Sequence, residues 1–296
     1  MKDLEIMEAR LKKENELKEY KGEDRVVPAQ ERREELEEIR KTIPKFKALS
    51  GIYSLDKTTD GFRRGQLIVV SGPPKNGKTA FCQTLTKKFV QESKVLWFSY
   101  ENSYEDLFEK FNMPTLNFEV PRMLKSGRVD WIEEKIIESK VKYGCDVVFI
   151  DNLDFLRDPE VMGRENMNTA SYVGGIVQKL KRMAVEHNCV VVLMAHIRKN
   201  KWTSSSLPSS EELRDSGQIA QLADTVLMVM RKRDDKKELY EGNKAMVGVI
   251  ENRHNGKTGK IHLVFQNGMF EEDTVDFNKM EQIYGQSTIE GSEDKW

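Results

Sequence analysis

The chain has 296 residues, 38% hydrophobic and 33% charged, which suits one large α/β domain with an appendage or two small domains. Its 48 basic and 49 acidic side chains leave a net charge of −1, which excludes a globally basic protein and confines any nucleic-acid contact to local patches. Cys82, Cys145 and Cys189 lie far apart among apolar neighbours, the charged start is no secretory signal, and no apolar run reaches the roughly 20 residues that cross a bilayer, so a cytoplasmic chain with no membrane partner is expected.

Residues 1–50 carry 13 basic and 13 acidic side chains. Leu4, Met7, Leu11 and Leu17 form a thin helical stripe, and Leu36 and Ile39 share one side of a second helical stretch from Gln30 to Thr42. A stripe this narrow makes no independent core. The segment reads either as a solvated leader or as helices that dock on a neighbouring subunit. From Gly65 the pattern changes to short apolar runs. Strands are predicted at 66–70, 95–98, 147–150 and 190–195, with helices at 79–92, 131–142 and 172–187 between them. Continuous apolar strands alternating with helices imply a mostly parallel twisted sheet covered on both faces. Three closely spaced strands follow at 225–230, 245–250 and 261–265, expected to be antiparallel on the C-terminal side. The division is therefore a leader at 1–50, an α/β domain at 51–272 and an acidic tail at 273–296, expected to be mobile.

Between the first strand and its helix runs Ser71-Gly72-Pro73-Pro74-Lys75-Asn76-Gly77-Lys78-Thr79, followed by Ala80. Gly-x4-Gly-Lys-Thr in that context is a phosphate cradle. Its glycines let backbone N–H groups turn toward the phosphates, and the helix N-terminus adds its dipole. Lys78 is expected to reach the β- and γ-phosphates of ATP, and Thr79 to ligate Mg²⁺. Asp151 ends the 147–150 strand, where a carboxylate can hold the same ion through water. Glu101 follows the 95–98 strand, and His196 follows 190–195. In a parallel sheet these termini share one edge, where ligands bind. Glu101 is a candidate base for the attacking water, and His196 a candidate sensor of the γ-phosphate. The next stretch, with Arg198, Lys199, Lys201 and Trp202, combines cations for phosphates with an indole that can stack on a base. It reads either as a DNA-binding loop or as a solvated one. Arg253, in a glycine-containing turn between two strands, is a candidate arginine finger toward a neighbour's nucleotide. The turn alone also explains the glycines.

In combination, residues 50–272 resemble the RecA-like helicase domain of DnaB-type replicative helicases, with greatest similarity to the phage primase–helicase and Twinkle branch. The resemblance rests on Thr59-Asp60-Gly61-Phe62-Arg63-Arg64-Gly65, the P-loop, Tyr100-Glu101 and Phe149-Ile150-Asp151-Asn152-Leu153. It rests further on His196, on the stretch from Leu213 to Asp224, and on Arg253 with its turn. It implies a hexameric ring with ATP and Mg²⁺ between subunits and single-stranded DNA in the channel. DNA contacts from loops near 158–169 and 198–210 are implied as well, as is Arg231 as a nucleotide contact. A separate primase or polymerase partner and a bacterial or phage-infected cell also follow from it. Glu251 departs from the family's frequent lysine two residues before the finger. A RecA/RadA- or KaiC-like ATPase that does not unwind is the alternative.

Overall fold

The structure is a computed structural model that describes residues 2–22, 24–42, 46–111, 117–158, 169–196, 217–234 and 239–273. It divides into two compact units, Met1–Phe46 and Lys47–Trp296. The first unit holds helices α1 (Lys2–Lys18) and α2 (Ala29–Thr42). Ile6, Met7, Leu11 and Leu17 on α1 and Leu36 on α2 are exposed, as a stripe too narrow for a core requires. The boundary between the units falls between Phe46 and Lys47. Ala48 exchanges both backbone hydrogen bonds with Phe62, and the Ser50 and Gly51 N–H groups donate to Asp56 at 2.8 and 3.0 Å. These contacts bind residues 48–51 to α3 (Tyr53–Thr59) and the second unit.

The second unit is built on one eight-stranded sheet. In chain order its elements are β1 (Leu67–Gly72), α4 (Lys78–Phe89), β2 (Val95–Ser99), α5 (Tyr104–Phe111), α6 (Val129–Tyr143) and β3 (Val147–Asp151), followed by a 3₁₀ turn (Leu153–Leu156). Then come α7 (Thr169–Glu186), β4 (Val190–His196), α8 (Gly217–Leu222), β5 (Thr225–Asp234), β6 (Leu239–Asn252), β7 (Gly259–Gln266) and β8 (Met269–Glu272). The strand order is β2-β3-β4-β1-β5-β6-β7-β8. The first five are mutually parallel and the last three pair antiparallel, as the spacing of the apolar runs implies.

Every residue of β1, β2 and β3 is buried, which is why these strands read as unbroken apolar runs. Alternate side chains serve opposite faces. Leu67, Val69, Leu96, Phe98, Val148 and Ile150 join one cluster with Trp131, Ile132 and Ile136 of α6 and Ile176, Val177, Leu180 and Met183 of α7. On the other face, Trp97 stacks on Phe149 at 4.8 Å, Phe149 meets Phe89 of α4 at 6.1 Å, and the Trp97 indole N–H donates to Thr86 Oγ1 at 2.9 Å. Each such buried side chain contributes about 1.5–3 kcal/mol. The doubly covered sheet thus fixes where its strand ends lie.

β8 is the one strand that the apolar spacing does not reveal. It returns from β7 through Asn267 and Gly268, both with positive φ (52° and 72°), an Asn-Gly turn suited to a two-residue hairpin. Phe270 N–H donates to Thr84 Oγ1 at 2.9 Å and Lys87 Nζ donates to Gly268 O at 3.1 Å, tying β8 to α4.

Candidate nucleotide site

Strand register brings the candidate residues together. Ser99 pairs with Asp151, Ile150 with Leu193, and Gly72 with His196. The carboxyl ends of β2, β3, β4 and β1 therefore form one edge, with Glu101, Asp151, His196 and the phosphate cradle arrayed along it. The backbone N–H groups of Tyr100 and Glu101 donate to Asp151 O at 2.7 and 3.2 Å, which holds the segment after β2 against β3.

The loop from Gly72 to Gly77 has the shape its residues require. Lys75 (φ 63°) and Gly77 (φ 89°) take left-handed conformations, and Gly77 stands at the N-cap of α4, so backbone N–H groups face inward. At Gly72 (φ 150°) a Cβ would lie 2.2 Å from Val229 O on β5. Gly72→Ala is therefore expected to lower stability by about 1–3 kcal/mol, read from chemical denaturation, because β1 and β5 must part to admit it. The loop is also anchored from outside. Asn76 is buried, its Nδ2 donates to Pro74 O at 3.0 Å, and its Oδ1 accepts the Arg231 N–H at 2.9 Å.

The Lys78 ammonium, also buried, donates to Gly72 O and Pro73 O at 3.1 and 3.0 Å. Burial pushes its pKa down, against the opposing pull of Glu101 and Asp151. Thr79 Oγ1 donates to Asp151 Oδ2 at 3.0 Å. Asp151 is 1% exposed, and its pKa is pushed up to about 6 by burial first and then by the Glu101 charge. A hydroxyl and a carboxylate oxygen in contact beside an anion cradle are hard donors that suit a small divalent cation with water completing its shell. Glu101 is 44% exposed at the mouth and His196 27%. Between them lies Asn152, whose Nδ2 is 2.6 Å from Glu101 Oε2 and 3.1 Å from His196 Nε2. Asn152 belongs to the stretch that carries the resemblance, but the sequence gives it no role of its own. Its signal was its place directly after a strand-ending aspartate on the ligand edge.

Two adjoining clefts open here. One of about 440 Å³ is lined by Lys75, Lys78, Thr79, Glu101 and His196, among others. The other, about 350 Å³, is lined by Arg231, Lys244, Phe265 and Phe270, with Lys75, Gly77, Ala80 and Phe265 common to both. The first cleft is walled by the cradle and the second by the Phe265 and Phe270 rings. Arg231 thus lines the second cleft, and its guanidinium donates to Gly242 O at 3.1 Å.

Arg253 stands elsewhere. Asn252 pairs with Thr225 and Thr225 with Ile68, so the turn after β6 lies at the amino edge of the parallel strands, opposite the cradle. Its backbone N–H donates to Asp224 O at 2.8 Å, and its exposed guanidinium donates to Gln221 O. Asp224 in turn accepts from the Leu67 N–H and from Lys181 Nζ, both at 2.7 Å, so this edge is firmly held. Arg198, Lys199, Lys201 and Trp202, most of the 158–169 loop, Leu213–Ser216 and residues 274–296 lie outside the described residues. Among the described residues one other acidic–histidine group, Glu133 with Glu186 and His187, is met by Arg182 at 3.7 and 3.4 Å from the two glutamates. Among them, no helix is long and apolar enough to cross a membrane.

The chain is 28% identical over 252 residues to a probable replicative DNA helicase of Trieres chinensis and 29% identical over 258 residues to the replicative DNA helicase DnaB of Mycoplasma genitalium. Both alignments cover 73% of this chain and 54% of the relative, so the chain spans about half the length of the curated relatives it matches. A solved ATPase domain matches with a TM-score of 0.69 at 22% identity, over 83% of this chain and 99% of that one. A DnaB-like replicative helicase, solved with attention to its interactions with primase, matches at 0.64 and 24% identity, over 80% and 66%. The fold is thus the RecA-like one of these ATPase domains. The family model of the DnaB-like helicase C terminal domain matches residues 48–140 and 122–272. These two stretches take in every described element of the second unit, and the chain belongs to that family.

Proposed function

We propose that this chain is an ATP-dependent DNA helicase motor of replication that hydrolyses ATP at subunit interfaces and moves along single-stranded DNA. The observation that carries the reading is the common sheet edge, which gathers Lys78, Thr79, Asp151, Glu101 and His196 at one cleft in a chain of this family. In this reading the cradle from Gly72 to Ala80 holds the phosphates by backbone N–H groups. Lys78 exchanges its loop carbonyls for phosphate oxygens, and Arg231 lines the nucleotide's other end. Thr79 and Asp151 hold Mg²⁺, which when bound neutralises charge on the phosphate oxygens. Glu101 orients and deprotonates the attacking water, and His196 senses the γ-phosphate.

Arg253 cannot reach the cradle of its own chain from the opposite edge, so it serves a neighbour's, which supports a homo-oligomer and, by family, a hexameric ring. Arg198, Lys199, Lys201 and Trp202 contact DNA, and helices of the 1–46 unit tie subunits together. A separate primase or polymerase is the natural partner, in the cytoplasm. A forked-duplex assay tests the activity. ATP hydrolysis with strand displacement is expected; robust hydrolysis without displacement would move the chain to the RecA/RadA- or KaiC-like ATPases that load or remodel without unwinding.

A further inference from the structure

Asn152 is 2% exposed and held at both ends. Its side-chain oxygen accepts the Asp154 N–H at 2.9 Å, which fixes the amide orientation and turns the NH₂ toward the site. One of the two N–H bonds reaches Glu101 Oε2 at 2.6 Å, and the other faces His196 Nε2 at 3.1 Å. An amide nitrogen donates and does not accept. His196 Nε2 must therefore accept, so the ring is neutral with its proton on Nδ1. His196 Nδ1 is buried and has no hydrogen-bond partner among the described residues. Direct contact between the ring and Glu101 is too long for a hydrogen bond, at 3.6 Å. The amide is what joins them.

We propose that Asn152 is a positioning residue that aims the Glu101 carboxylate and selects the His196 tautomer, joining base and sensor through one amide; the proposal rests on Glu101 acting as base. An unpartnered buried donor is costly, so the His196 ring gains by turning when an acceptor is offered. Any such turn breaks the contact to Asn152 and loosens the hold on Glu101. The state of the sensor is thereby passed to the base without either touching the other.

The test uses the full chain with Asn152→Ala and Asn152→Asp. Asn152→Ala is expected to lower kcat for ATP hydrolysis by about 10- to 100-fold with KM unchanged. Asn152→Asp keeps the size and the acceptor for Asp154 but removes the donors, so it is expected to lower kcat at least as far; a mere filling role would make it the milder change. The chain has 4 histidines, which makes ¹⁵N imidazole spectra tractable. His196, assigned by its loss in His196→Ala, is expected to show the Nδ1–H form in the wild type and to lose that bias in Asn152→Ala. An Nε2–H form in the wild type overturns the proposal. So does a kcat unchanged in both Asn152 variants while Glu101→Gln abolishes hydrolysis. Wild-type hydrolysis by Glu101→Gln would instead overturn the assignment of the base, and the tautomer spectrum tells the two failures apart.

Discussion

Replacing Glu101 by Gln is expected to slow ATP hydrolysis by about 10²- to 10⁴-fold while nucleotide binding persists. The reasons are geometric. Glu101 lies at the mouth of the cleft, half-exposed, where water can reach it, yet its backbone is pinned to Asp151 O and its carboxylate to Asn152. Gln preserves the length and still offers Asn152 an acceptor, so it removes the basic oxygen and leaves the scaffold. Glu101 adjoins Asp151, but the backbone N–H groups of the cradle, Lys78 and Thr79 are left unchanged by the substitution, so the proposed phosphate contacts are expected to remain. Phosphate release gives kcat, and titration with a fluorescent ATP analogue gives binding. An unchanged kcat would mean that another group activates the water.

Arg253→Ala is expected to reduce hydrolysis by about 10³-fold in the assembled protein, with the fold intact. The side chain is exposed and its guanidinium bonds only to Gln221 O among the contacts described, so its removal leaves no buried group unpaired. Its edge of the sheet is opposite the cradle, so the loss must act on a neighbour. Hydrolysis per subunit of the wild type should accordingly fall on dilution below the assembly concentration, and the variant should lack that dependence. Glu251, two residues before Arg253, pairs with Val226 near the end of strand β6 and adds no second cation there. Rates equal to wild type in Arg253→Ala would show that one chain holds a complete site.

Much of this site was legible in the residues because its parts follow from local rules. A phosphate loop needs glycine at fixed spacing, and β1 to β4 are buried on both faces, so their ends could be read from unbroken apolar runs. The shared edge follows from parallel pairing, which places Asp151 and His196 beside the cradle before any coordinate is known. The parts that escaped depend on contacts between distant segments. Asn152 matters through Glu101 and His196, which are far from it in sequence. Asn76 matters through Arg231. Phe270 reaches the cradle by way of β8, whose Asn-Gly turn was a readable signal, but whose pairing with β7 and anchoring on α4 were not. Arg253 stands out in the sequence only as a candidate in a glycine-containing turn, and its place at the opposite edge required the register of β5 and β6.

The central claim is that the cleft at Lys78 is half of a site completed by the Arg253 of a second copy. Electron microscopy of the chain with Mg²⁺, a non-hydrolysable ATP analogue and single-stranded DNA tests it most directly. The expected result is a ring of copies in which the guanidinium of Arg253 from one subunit meets the γ-phosphate held by Lys78 of the next. Monomers, or an assembly in which Arg253 lies away from every nucleotide, would contradict it.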